Sequence, residues 1–150
     1  MLKKSALKKS ILLSFASFAL YGAVVTNPAN AADAQTLSLE GTNWQLVKLT
    51  VLGGFVFTPA DPGAYVLNFR SEQRLTGESD CNSITGAWQQ DSTTLRFEPF
   101  GATRELCSPG SLHNNLVLYL RDTQTFQLVD GKLFLHTSTA GVEIEFESRD

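Results

Sequence analysis

Val142, Ile144 and Phe146 alternate with Glu143, Glu145 and Glu147. Side chains that alternate this strictly belong to an extended strand with one face toward a core and the other, here strongly acidic, toward solvent. The same period of two recurs upstream. Tyr65, Leu67 and Phe69 alternate with Val66, Asn68 and Arg70, and Leu133 and Leu135 follow Phe126 and Leu128 across a tight Asp130-Gly131 turn. A chain built from short half-buried strands joined by tight turns must bury one face of an antiparallel sheet.

Read in order, Trp44, Leu46, Val47 and Leu49 form a first strand, and Tyr65 to Phe69 pairs with Arg74 to Gly77 across Ser71-Glu72-Gln73. Asp80-Cys81-Asn82-Ser83 is a turn. Ile84 to Gln89 and Thr94 to Phe97 form a further hairpin about Gln90-Asp91-Ser92. Ser108-Pro109 suits a helix start, because serine caps free backbone amides and proline fits the first turn. Leu112, Leu116, Tyr119 and Leu120 then recur on one helical face, ending near Asp122. The expected fold is α+β and predominantly β: a curved antiparallel sheet or partial barrel of about seven to eight strands with one helix packed on it.

The first residues carry Lys3, Lys4, Lys8 and Lys9 without an acid, then an apolar run from Ile11 to Val25, then Ala29 and Ala31 at the spacing signal peptidase accepts. Residues 1–31 are therefore expected to be a signal peptide cleaved after Ala31, 32–38 a flexible lead-in, and 39–150 one domain. The alternative, an uncleaved membrane anchor, would need about 20 apolar residues. No cysteine precedes Cys81, so no lipid anchor is expected at the exit. The expected destination is periplasmic or secreted.

Four of the 12 basic residues lie in the leader and all 15 acids beyond it, so cleavage changes the net charge from −3 to −7. An acidic surface is repelled by phosphate backbones and anionic lipid, which argues against nucleic-acid and peripheral membrane binding. Cys81 and Cys107 enter a compartment where disulfides persist, so they are expected to pair; the alternative is two buried free thiols.

Chemistry finds little footing. His113 and His136 have no second ligand at a metal-binding spacing and are expected to be surface or interface histidines. No serine-nucleophile elbow occurs. Glu78 and Asp80 share a face of an extended segment, yet in an acid-rich chain they read as an ordinary solvated loop. No catalytic residue, cofactor or metal is expected. Phe55 and Phe57, in a loop bounded by Gly53-Gly54 and Pro59, are a candidate partner-binding loop; the alternative is that they fold under and close one end of the core.

Gly41-Thr42-Asn43-Trp44-Gln45-Leu46, Leu67-Asn68-Phe69 with Leu75-Thr76-Gly77, Cys81-Asn82 with Ile84-Thr85-Gly86-Ala87-Trp88, and Thr103-Arg104-Glu105-Leu106-Cys107 resemble, in that order, the META/HslJ domain family. The resemblance spans about Leu39 to Phe146. One departure is Asp80, where the family usually has glycine before the Cys-Asn pair; a left-handed turn there would have to be adopted by aspartate. The resemblance implies a small barrel-like α+β domain of secreted or envelope proteins, associated with stress tolerance and carrying no established catalytic residues. The functional expectation is an exported non-enzymatic domain supporting envelope or stress tolerance; the alternative is a binding or inhibitory module for a secreted enzyme or small ligand. A monomer with an unidentified protein or small-molecule partner is expected.

Overall fold

The computed structural model describes residues 37–149, which belong to a unit spanning Asp33–Asp150. The expected leader, its cleavage after Ala31 and most of the lead-in lie outside the described residues. Along the chain run β1 (Asn43–Val51), β2 (Phe55–Phe57), a single 3-10 turn (Pro62–Ala64), β3 (Tyr65–Phe69), β4 (Arg74–Ser79) and β5 (Asn82–Ala87). Then follow β6 (Gln89–Asp91), β7 (Thr94–Arg96), β8 (Phe100–Ala102), α1 (His113–Arg121), β9 (Thr123–Val129), β10 (Lys132–Thr137) and β11 (Glu143–Ser148).

All strands join one antiparallel sheet in the order β6-β7-β9-β10-β11-β1-β3-β4-β5-β8, with β2 paired to β1 beside this path. The sheet curls into a half-barrel, because its two ends are parts of one continuous run of chain. β5 stops at Ala87 and β6 starts at Gln89, and Trp88 between them turns the chain from one end of the sheet to the other. At this corner Ala87 N donates to Pro99 O and Trp88 N to Gln73 O, each at 2.8 Å. A Cβ on Gly86 would lie 2.3 Å from Pro99 O, so only glycine admits this close approach. The Trp88 ring meets Phe69 edge-on at 5.5 Å and donates its indole N–H to Arg70 O.

Eleven strands replace the seven to eight expected from periodicity. β2 and β8 are new, and the run from Ile84 to Gln89, read as one strand, is divided at Trp88. Each of β2, β6 and β8 has three residues. Three residues complete barely one period of alternation, so such strands are defined by their partners and not by their own pattern. In β1 the apolar phase changes between Leu46 and Leu49, and the register with β11 slips between Leu46 and Lys48. A bulge at Val47 returns Leu49 to the buried face.

The core is the inner face of this sheet, filled by Leu46, Leu67, Phe69, Leu75, Phe126, Leu133, Ile144 and Phe146 and covered by Leu116 and Leu120 of α1. The helix begins later than expected. Ser108-Pro109-Gly110 is a turn, closed by Ser111 N donating to Ser108 O, and Gly110 has φ +91°, outside any helix. The first free amides of α1 are met instead from outside the Ser-Pro pair: Leu112 N donates to Tyr65 Oη at 2.9 Å and His113 N to Ser111 Oγ at 3.2 Å. Among the described residues no helix is long and apolar enough to cross a membrane.

The outer face of β11 also departs from expectation. Glu143 and Glu147 are at least partly solvated, but the Glu145 side chain is only 4% exposed, bonded by Lys132 Nζ at 2.6 Å and Lys48 Nζ at 2.7 Å. Lys48 stands opposite Glu145 on β1, and Lys132 reaches it from β10, so the two long side chains cover it from both neighbouring strands. Their ammonium groups, Lys132 first, hold the Glu145 carboxyl below its ordinary range, and Glu145 in turn raises Lys48.

Candidate functional site

Two places combine exposed side chains with unusual local construction. The first is built around Cys81 and Asn82. The turn from β4 to β5 consists of Asp80 and Cys81, and Asp80 adopts φ +59°. Aspartate therefore occupies the left-handed conformation that glycine would take without cost, and Asp80 N anchors the turn by donating to Ala64 O at 2.7 Å. Cys81 and Cys107 are joined by a disulfide with Cα atoms 5.4 Å apart. Such a bond is compatible with an oxidising compartment.

Beside the disulfide, the Asn82 side chain is buried and does the work of a strand. Its Oδ1 accepts from Glu105 N at 2.7 Å and from Thr103 Oγ1 at 2.9 Å, while its Nδ2 donates to Glu105 O at 3.1 Å. Ser83 N donates to Thr103 Oγ1 and Thr103 N to Ser83 O, both at 3.0 Å. Thr103 to Cys107 is thus held at three points, by Ser83, by Asn82 and by a covalent bond, although the segment is not a strand. Its side chains from Thr103 to Leu106 are exposed, and Leu106 is fully so.

A groove of about 360 Å³ lies between this loop and α1. His113, Asn114, Val117 and Arg121 form its helical wall, a spacing that keeps all four on one side of the helix. Arg121 stands with its guanidinium 5.7 Å from the Phe100 ring centroid. His113, expected at the surface or an interface, is only 8% exposed, with Nδ1 3.0 Å from Ser79 Oγ. The reason is its position: His113 precedes Leu116 and Leu120 by three and seven residues and so shares their inward stripe. Its value to the groove could not be read from the histidine alone. His136 lies elsewhere, with Nδ1 3.5 Å from Glu143 Oε2.

The second place carries Phe55 and Phe57. They form β2, which turns back from β1 through Leu52-Gly53-Gly54 and pairs Leu49 with Phe57 and Val51 with Phe55. Phe55 is 69% and Phe57 40% exposed, Leu52 is 70% exposed, and Val56 is exposed on the opposite face of the strand. The two phenylalanines stand outside the core, and the outer backbone edge of β2 meets no other strand among the described residues.

Among the described residues no group of three or more His, Cys, Asp and Glu side chains is placed to hold a metal. Glu78 is exposed and accepts from Ser83 Oγ, whereas Asp80 is engaged through its backbone, so the two do not form an isolated carboxylate pair. The described residues show a braced polar groove and an apolar strand edge.

A match to the META domain covers residues 37–150. The chain belongs to the META domain family. The barrel-like sheet and single helix implied by the resemblance are present, with more strands than the sequence pattern alone suggests. An NMR structure of a protein from Burkholderia xenovorans is similar at 25% identity and a TM-score of 0.64, covering 93% of this chain and 99% of that one. A crystal structure of a DUF4847 family protein from Bacteroides vulgatus shares the fold at 17% identity and a TM-score of 0.52, covering 73% of this chain and 95% of that one. No curated protein matches the chain.

Proposed function

We propose that this META domain protein is an exported, monomeric, non-enzymatic envelope module that supports stress tolerance by binding a protein partner through the β1–β2 hairpin. The observation that carries this reading is the outer edge of β2, unpaired among the described residues and flanked by Leu52, Phe55, Val56 and Phe57. Unpaired backbone donors and acceptors beside exposed apolar side chains suit the addition of an extended partner segment: main-chain bonds supply affinity and the aromatic rings supply anchorage. Monomeric proteins rarely leave such a patch uncovered without a use. Residues 1–31 supply the export signal in this reading, with cleavage after Ala31 and release into the periplasm or medium.

The test is genetic complementation. A strain lacking the gene should lose viability under heat and envelope-targeting drugs, and the wild-type gene should restore it. Phe55→Ser/Phe57→Ser should accumulate to the wild-type level and fail to restore it. Unimpaired survival of the deletion strain would overturn the stress role, and full rescue by the double variant would overturn the hairpin as the contact surface.

A further inference from the structure

The groove between α1 and the 103–107 loop has features the fold does not require. Arg104 and Arg121 both line it, and among the described residues neither is in an ion pair. Arg121 is held through its side chain and Arg104 through the backbone on either side of it. Arg121 rests over Phe100, an arrangement that leaves the guanidinium edge free to donate. Arg104 projects from a backbone clamped on one side by the Thr103–Ser83 bonds and on the other by Asn82 at Glu105.

His113 is a buried polar side chain on the same wall. Its Nδ1 is engaged by Ser79 Oγ, and among the described residues its Nε2 has no hydrogen-bond partner. In the tautomer where the Ser79 hydroxyl donates to Nδ1, Nε2–H is a free donor. The Asn114 amide adds another. Leu106, fully exposed on a rigid loop, and Val117 give the groove an apolar side.

We propose that this groove binds a small monoanionic amphiphile, a carboxylate carrying a short apolar chain. Two guanidinium groups and one rim acid, Glu105, leave a formal charge of +1 in a chain whose net charge is −3. That local balance suits a monoanion, while the Glu105 carboxylate disfavours a phosphate dianion. A planar carboxylate can take paired donors from one guanidinium and a third from the other. The apolar chain then covers Leu106 and Val117. At about 30 Å³ for a water-sized group, a groove of about 360 Å³ holds roughly twelve such groups, room for a carboxylate and a short apolar chain. The site is independent of the hairpin, which lies on another part of the sheet and contributes no lining residue.

Octanoate is the probe, titrated into the protein as purified after export and followed by amide NMR shifts, with acetate, octanol and inorganic phosphate as comparators. Octanoate should shift the amides of Thr103–Leu106 and His113–Val117 and saturate below about 1 mM. Acetate and octanol should bind about tenfold more weakly, because each lacks half of the ligand. Arg104→Gln/Arg121→Gln should weaken octanoate about tenfold without moving the melting temperature, and Leu106→Ser should weaken octanoate while leaving acetate unchanged. Absence of shifts in these two segments, shifts that persist in the double arginine variant, or phosphate binding as tightly as octanoate would each overturn the proposal.

Discussion

The 103–107 loop and the β1–β2 hairpin both carry fully or largely exposed apolar side chains, yet they are built in opposite ways. The loop has no regular secondary structure and is pinned by a disulfide, by the buried Asn82 amide and by paired bonds to Ser83. The hairpin has regular pairing, but among the described residues β2 pairs with no strand other than β1 and its outer edge is open. Rigidity is therefore not a property of secondary structure here: the irregular segment is the braced one and the strand is the free one. A preformed wall suits a small ligand, which can spend little binding energy on ordering its site. A free strand edge suits a partner chain that brings its own backbone.

Three perturbations test that contrast, and a fourth, at Glu145, tests the β11 strand that pairs with β1 beside the hairpin. Cys81→Ser/Cys107→Ser should have the largest effect, about 3.5 kcal/mol on the chain-entropy account of a loop this long, read from urea unfolding. Asn82→Ala should follow at about 2–3 kcal/mol, since it leaves Glu105 N and O without partners, and hydrogen exchange should quicken at Thr103 to Cys107 while β2 is unaffected. If the loop amides stay protected in that variant, the Asn82 clamp is not what braces it.

Glu145→Gln should cost about 1–2 kcal/mol at neutral pH, less than a fully buried pair because both lysines are partly solvated. Folding lowers the pKa of Glu145, through Lys132 and Lys48, and of Asp122, through hydrogen bonds from Ser138 and Thr139. Their stabilisation is thus present above the ordinary carboxylate range near pH 4 and is lost as pH falls through the lowered folded values. Wild type should lose stability on acidification, and Glu145→Gln should show a shallower loss; identical acid limbs in the two proteins would remove Glu145 from this role. Phe55→Ser/Phe57→Ser should have the smallest effect, within about 0.5 kcal/mol, because neither ring is in the core. A large drop in melting temperature would show that the hairpin supports the fold after all.

The sheet was legible where strands are long enough to alternate. β3, β4, β9, β10 and β11 each run for at least five residues; burial keeps a single phase of two in β4 and β10, whereas Val66 in β3 and Glu145 in β11 are buried on the other phase. The helix was legible from Leu112 onward, but its start was misplaced because Ser108-Pro109 has the composition of a helix entrance while Gly110 takes the chain out of helical space. Glu145 was misread as solvated for a related reason: period two assigns a face but says nothing about two lysines on neighbouring strands that can cover it.

The candidate sites divide the same way. Phe55 and Phe57 could be singled out from their glycine- and proline-bounded segment, but whether they faced in or out depended on pairing with β1. Asn82 was marked as a turn residue and as part of the Cys81-Asn82 resemblance but not as a clamp, and Arg104, His113 and Arg121 were separate residues with nothing in their spacing to unite them. Local pattern, which depends only on neighbours in the chain, determined the strand character, the helix face, the acidic balance and the META resemblance. The half-barrel closure at Trp88, the burial of Glu145 and His113, the brace on the 103–107 loop and the groove beside it arise between residues tens of positions apart. Those pairings are chosen by packing and hydrogen bonding across the sheet, and only the tertiary structure decides them.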